Sequence, residues 1–334
     1  MSQKTWNWAI FGPGIIARTF ADALKLLDRA KLVAVASSSS QRANTFAEEY
    51  DVPHVYGSYS EALKDEAIDV CYISTIHVSH YPIAKACLEA GKNVLIEKPI
   101  CLNQDELQEL IELAKAKNCF MMEAMWTRFR PTTLQVLDWT KNAIGDLVAV
   151  KTTLSFDSDL KPGTRITSVD LGGGALLDMG VYGIAYINML FDEKPNKLFY
   201  NAQTIENQVD IAGVISLTYP NFRLASIHLS VKNALDDNAL ILGTKGYIKV
   251  QDFHKPKSAQ LYEYTNRAER EARLVDEVTE KPIGNGYQYE AEHVMDCLDQ
   301  GLKQSPVYPL SASLDNLWIM DQLREDIGLK YPQE

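Results

Sequence analysis

The chain has 334 residues, 46% of them hydrophobic and 23% charged, with a formal net charge of −11. That length exceeds one ordinary core and suits two domains, and the hydrophobic share excludes wholesale disorder. The acidic balance argues against a nucleic-acid or anionic-membrane surface, although backbone amides and a few local cations could still hold a phosphate-bearing ligand.

Five cysteines (71, 87, 101, 119 and 297) are scattered, odd in number and without metal-ligand spacing. They fit a reduced, cytoplasmic chain with no metal site. The first residues run directly into a strand, which leaves no room for a signal peptide. No apolar run is read as reaching the ~20 residues of a bilayer span.

Over the first ~125 residues, short apolar strands alternate with amphipathic helices. Strands are expected at 6–11, 31–36, 68–74, 94–97 and 119–123, with helices at 15–27, 41–50, 79–90 and 104–117. Asn103 with Glu106 makes a capping-box start for the last helix, and Gly91 suits the residue after the one before it. This alternation implies parallel strands joined by right-handed crossovers.

Gly12-Pro13-Gly14-Ile15-Ile16-Ala17 follows the first strand and opens the first helix. In that context the Gly-x-Gly-x-x-(Gly/Ala) pattern predicts a dinucleotide site, with Gly12 for the turn, Gly14 for close approach, and the amides of Ile15 and Ile16 for phosphates. The second strand ends in Ala36-Ser37-Ser38-Ser39-Ser40-Gln41-Arg42, where NAD sites usually carry an acid. Ser37, Ser38 and Arg42 would instead hold a 2′-phosphate, so NADP is favoured over NAD. The plainer alternative has Ser40 capping a helix that begins at Gln41, with Arg42 on a solvated face.

Glu97-Lys98-Pro99 ends the fourth of those strands, at the edge where open α/β sheets bind ligands. A lysine is costly to bury unless paired or used.

After about Trp126 the pattern changes. A helix is expected after Pro131, then period-two segments at 147–157, 198–206, 209–219, 223–232, 238–242 and 247–250. Helices are expected at 173–190, 287–302 and 311–327. The charged stretch 255–281 is read as irregular. The second domain, 126–334, is thus α+β with a large, mostly antiparallel sheet, following an α/β domain over 1–125.

Gly172-Gly173-Gly174 leads into a helix that carries Asp178 and Tyr182 at i and i+4, on one face. Gly180 costs about 1 kcal/mol against alanine inside a helix, which points to close packing, against a cofactor or the first domain. A tyrosine hydroxyl beside a lysine ammonium has its phenolate favoured. Tyr182 and Lys98 can therefore be read as a proton-transfer pair for alcohol/carbonyl interconversion, with Asp178 ordering them; the plainer alternative has Asp178 as an ordinary helix-face carboxylate and Tyr182 as a core aromatic with its hydroxyl satisfied.

These motifs, in this order with Thr75-Ile76-His77-Val78-Ser79-His80 between them, resemble the Gfo/Idh/MocA oxidoreductases over nearly the whole chain. Glu123-Ala124-Met125-Trp126-Thr127-Arg128-Phe129 looks most like the dimeric dihydrodiol dehydrogenase branch, which includes NADP-dependent D-xylose dehydrogenases. The resemblance implies a Rossmann domain followed by an α+β domain with an open-faced sheet. It also implies NAD or NADP as cofactor, a sugar, polyol or cyclic diol as substrate, and homodimers or homotetramers built through that sheet. It carries a catalytic role onto Lys98 and gives the acid/base position to Tyr182. It places Thr75, His77, His80 and Glu97 near the cofactor and Arg128 near the substrate. Trp126 would wall the substrate site or pack structurally, and Arg165 would meet a substrate hydroxyl or phosphate or stand as a surface loop arginine. Two rival readings are a redox-type glycosidase that uses bound NAD transiently, and a non-catalytic sugar or NADP sensor.

Overall fold

The computed structural model describes residues 4–206, 209–234, 236–281 and 283–334. The chain divides into two compact units, Met1–Trp126 with Pro282–Leu314, and Thr127–Lys281 with Asp315–Glu334.

In the first unit, β1 (Trp6–Phe11), β2 (Ala30–Ala36), β3 (His54–Tyr56), β4 (Val70–Ile73), β5 (Asn93–Glu97) and β6 (Met121–Ala124) form one sheet in the order β3-β2-β1-β4-β5-β6. Every pairing is parallel. The helices α1 (Ile15–Leu24), α2 (Ser40–Tyr50), α3 (Tyr59–Ala62), α4 (His80–Glu89) and α5 (Gln104–Lys117) connect them. Strands covered on both faces lack alternation: β4 and β6 are buried at every residue. The α5 start matches its sequence signal, since Asn103 accepts from the Glu106 amide at 2.9 Å and Glu106 accepts from the Leu102 amide at 2.9 Å. The strand order reverses between β1 and β4, which makes their carboxyl ends the ligand crevice of such a sheet.

The second unit holds α6 (Pro131–Asn142), β7 (Leu147–Ser155), α7 (Val181–Phe191), β8 (Lys197–Thr204), β9 (Asp210–Tyr219), β10 (Arg223–Ser230), β11 (Asn238–Gly243), β12 (Gly246–Gln251), β13 (Ser258–Asn266) and β14 (Glu271–Thr279). Its eight strands run β14-β13-β12-β11-β7-β10-β9-β8. All pairs are antiparallel except β7 with β10. Val150, Ile215, Leu217, Ile227, Leu229 and Ile241 are fully buried or nearly so on the helix-covered side. Phe199, Val214 and Leu224 are exposed.

Two expectations change here. The charged stretch 255–281 contains the β13–β14 hairpin, whose outer strand is mostly exposed and so lacks a hydrophobic face to read. Residues 282–314 belong to the first unit, although the sequence places everything after 125 in the second domain. Their helix α8 (Tyr287–Asp299) is tied there by polar contacts. The Trp6 indole donates to Asp299 at 2.9 Å, and Arg29 pairs with Asp296 at 2.9 Å and Asp299 at 3.0 Å. The last helix, α9, spans Leu310–Ile327.

Val169–Phe191 is the one helical stretch among the described residues long and apolar enough by composition to cross a membrane. The sequence reading had not singled it out. With 78% of it buried, it has the character of a core helix.

Candidate active site

The first unit supplies the predicted cofactor cradle. Gly12 has φ +95°, and a Cβ there would lie 2.6 Å from Thr75 Cγ2 and 3.1 Å from the Thr75 amide. Only glycine fits that turn. Gly14 caps α1 without a side chain, and a Cβ on it would meet nothing within 4 Å. Open space thus lies in front of a helix N-terminus whose first amides, from Ile15 and Ile16 onward, lack intrahelical acceptors. Ala17 is fully buried, which lets α1 settle on the sheet. These residues fit a pyrophosphate.

At the end of β2, Ser37 is buried and its hydroxyl accepts from the Ser39 amide at 3.2 Å. Ser39, not Ser40, caps α2, accepting from the Arg42 amide at 3.4 Å. The Arg42 guanidinium donates to Ser38 Oγ at 3.1 Å, so serine and arginine form one polar patch. Burial of Tyr59 raises its pKa, with the Arg42 charge and a Ser38 backbone contact opposing the rise. That places Tyr59 by the same patch, a neighbour no spacing rule indicated.

Lys98 is half-buried just past β5, and its peptide bond to Pro99 is cis. The turn around it is fixed from three sides. Glu97 accepts the Lys98 amide at 3.2 Å and the Tyr72 hydroxyl at 2.5 Å. Glu123 accepts the Ile100 amide at 3.1 Å and the Tyr308 hydroxyl at 2.9 Å. His80 Nδ1 lies 2.8 Å from the Pro99 carbonyl and its Nε2 3.2 Å from the Thr75 carbonyl. Burial pushes the Glu97 carboxyl up to about 6 and the His80 imidazole down to about 4. A third acid, Glu290 of α8, is fully buried, and burial followed by the Glu97 charge holds its pKa well above the carboxylate range.

Two residues expected at the cofactor make bonds within their own unit. Glu97 is turned into the unit's interior, and His80 is fully buried with both ring nitrogens on protein carbonyls. Both brace the Lys98 turn. His77 begins a short 3-10 turn at the end of β4, close to the Gly12 contact residue Thr75.

Trp126 is 7% exposed and stacks on Tyr287 of α8, with centroids 4.5 Å apart and planes at 15°. One of its faces is thus taken by protein. Arg128 is half-buried in the 3-10 turn Trp126–Phe129.

The second unit carries the other predicted group. Residues Leu176–Gly180 form a π-turn that runs into α7, so Asp178 precedes the α-helix on which Tyr182 stands. The regular i, i+4 relation expected from sequence does not apply across that turn. Such turns recur at functional sites. Tyr182 is half-buried, whereas Asp178 is 8% exposed.

Arg165 grips Asp178 with both guanidinium arms, at 3.0 Å and 2.9 Å. A bidentate pair of this kind is directional as well as strong. Arg165 is therefore engaged with Asp178 while its side chain stays 45% exposed. Gly180 also differs from expectation: a Cβ there would meet Leu176 Cδ1 at 2.8 Å and Leu229 Cδ2 at 3.6 Å. Its close approach is to its own unit, not to a cofactor. Gly183, where a Cβ would meet Ile227 Cγ2 at 2.8 Å, likewise lets α7 lie on β10.

The glycine loop is anchored by a residue that sequence reading missed. Asp210, fully buried at the start of β9, accepts the Leu176 amide at 2.7 Å and the Tyr200 hydroxyl at 2.6 Å. Tyr331 donates to the Gly173 carbonyl at 2.6 Å. Among the described residues, no cluster of three or more potential metal ligands is present.

Residues 6–125 match the oxidoreductase family with an NAD-binding Rossmann fold, and residues 139–249 match the Gfo/Idh/MocA C-terminal domain. The chain belongs to the Gfo/Idh/MocA oxidoreductase family. It is 36% identical to a trans-1,2-dihydrobenzene-1,2-diol dehydrogenase from Xenopus tropicalis, over 98% of this chain and 99% of that one. The mouse protein of that name is 35% identical over 98% of both chains.

Among solved structures, a 3-ketoreductase from Actinomadura kijaniata with NADP and TDP-benzene superposes with TM-score 0.84 at 22% identity, covering 97% of this chain and 98% of that one. Levoglucosan dehydrogenase with NADH and levoglucosan gives 0.84 at 19% identity with the same coverage. These two show the fold. The chain is thus an oxidoreductase that acts on CH–OH groups with a nicotinamide dinucleotide.

Proposed function

We propose that this enzyme interconverts an alcohol and a carbonyl on a sugar, polyol or cyclic diol, with NADP preferred over NAD and with Lys98 and Tyr182 as its catalytic pair. The observation that carries the reading is the position of Lys98. It follows β5 on the same carboxyl edge as the Gly12 turn, one strand beyond the β1/β4 reversal. The nicotinamide, when bound, accepts or donates the hydride.

Tyr182 transfers the hydroxyl proton of the reacting carbon. Lys98 favours the tyrosinate by its charge and binds the substrate oxygen. Asp178 acts less directly than the sequence implied, because Arg165 holds both its oxygens and fixes the turn before Tyr182. NADP preference is supported by the Ser38–Arg42 patch and by the missing acid at the end of β2. Assembly into a homodimer or homotetramer is supported by Phe199, Val214 and Leu224, which pair across β8, β9 and β10 onto one exposed sheet face. Five buried free cysteines suit a reducing, cytoplasmic setting.

The test is turnover, read by nicotinamide absorbance, with aldoses, inositols, anhydrosugars and aromatic dihydrodiols under both cofactors. Tyr182→Phe and Lys98→Met should each lower kcat by at least ~100-fold, at the scale of a lost general acid or base. Undiminished turnover in either variant removes that residue from the mechanism.

A further inference from the structure

The loop after β12 lies along the helix that carries Tyr182. Phe253 is fully buried and meets Tyr186 edge-on, with centroids 5.1 Å apart at 66°. The next residue, His254, meets Tyr182 with centroids 5.7 Å apart at 57°. Tyr182 and Tyr186 are one turn apart on α7, so consecutive loop residues cover consecutive positions of one helix face. The His254 ring is thereby held beside the tyrosine hydroxyl's own ring.

Two further contacts fix that histidine. The Thr127 hydroxyl donates to the His254 carbonyl, tying the loop to the segment that carries Arg128. Asp237 presents Oδ2 at 3.8 Å from His254 Nδ1, while its Oδ1 accepts the Ser155 amide at 2.8 Å. At 3.8 Å the Asp–His contact is electrostatic rather than a hydrogen bond. Both side chains are 15% exposed, so the carboxylate faces the ring with little water between them.

A half-buried imidazole backed by a carboxylate is a poor wall for an apolar ring and a good one for hydroxyls. Resting on the assignment of Tyr182 as proton donor, we infer that His254, oriented by Asp237, is a specificity-determining residue. It hydrogen-bonds a substrate hydroxyl beyond the vicinal pair that a dihydrodiol also carries, so the enzyme's substrates are polyhydroxylated rings or aldoses rather than a dihydrodiol whose remaining ring is apolar. A site built to bond a hydroxyl discriminates strongly against analogues that lack it.

The experiment compares wild type, His254→Phe and His254→Gln on a polyhydroxylated panel (D-xylose, D-glucose, myo-inositol, 1,6-anhydroglucose) and on trans-1,2-dihydrobenzene-1,2-diol. The expected result is wild-type preference for a member of the panel. His254→Phe keeps an aromatic against Tyr182 and should lose 10- to 100-fold in kcat/KM on that substrate, mainly through KM, with a clearly smaller loss on the diol. His254→Gln should recover part of the loss, because it restores a donor and an acceptor. Equal losses on both substrate classes, no loss on the polyhydroxylated substrate, or a wild type that turns over no panel member each overturn the inference. Thermal melting of each variant separates these outcomes from misfolding. Tyr182→Phe serves as the control for the parent reading: activity retained there defeats the proton-donor assignment, whereas Tyr182→Phe dead with His254→Phe unselective defeats only the role of His254.

Discussion

Asp210 is the most exacting test of how the helix that carries Tyr182 is held. It is fully buried, and its Oδ2 takes both the amide that opens the π-turn and the Tyr200 hydroxyl. Tyr200→Phe removes one hydrogen bond to that carboxyl without creating a large void. Hydrogen bonds to charged groups are worth about 1.5–3 kcal/mol. At about 2–4 °C per kcal/mol for a unit of this size, the melting temperature should fall by about 3–12 °C.

Asp210→Ala strands two buried donors at about 1–3 kcal/mol each, and so should cost about 2–6 kcal/mol. Because the anchored amide starts the turn that holds Asp178, kcat should also fall, by about 10- to 100-fold for a displacement near 1 Å. Melting of wild type, both single variants and the double variant closes a cycle, and direct contact predicts a coupling of at least about 1 kcal/mol. A Tyr200→Phe shift under 1 °C, or strict additivity in the cycle, would refute the anchoring argument.

Two predictions concern the groups under Lys98. Glu97 and Glu290 both have pKa values raised by burial, so the fold binds protons the unfolded chain has released; stability falls as pH rises above about 4.5, through about 6 for Glu97. For Glu97 that is about 2 kcal/mol; Glu290→Gln should raise the melting temperature more at pH 7.5 than at pH 5, and an equal gain at both would count against a buried acid. His80 behaves oppositely: its pKa is depressed to about 4, so its contribution is complete above about 6.5 and is lost as pH falls toward 4, by about 3 kcal/mol. His80→Gln should flatten that acid limb in melts between pH 7 and 4.5, and an unchanged limb would show that other groups carry it.

Features encoded within a few residues were readable in advance. The Gly12 turn, the α5 capping box and the strand-end Lys98 each arise from short segments whose backbone demands fix residue type. The alternating strands β9, β10 and β12 were legible because one face is buried and the other is not. The β13–β14 hairpin was not, since its outer strand has little to bury. The place of α8 was equally hidden: what ties it to β1 is a set of charged and indole contacts between residues about 270–290 positions apart, which no periodicity records.

The site divides the same way. Lys98, Asp178 and Tyr182 were found because motif spacing names them, but their partners come from elsewhere in the chain. Asp210 reaches Leu176 across 34 residues, Glu123 reaches Tyr308 across 185, and His254 meets Tyr182 across the five strands β8 to β12. Each is a polar group whose burial is costly unless a bond compensates it, and only the folded chain shows where the compensation is. Arg165 makes the point most directly. By sequence it is a loop arginine suited to substrate, yet two hydrogen bonds of about 3 Å commit it to Asp178. That charge is paired with the carboxylate nearest Tyr182 in the chain. The imidazole packed against Tyr182 is likewise a neighbour that no spacing rule indicates, because five strands separate the two residues.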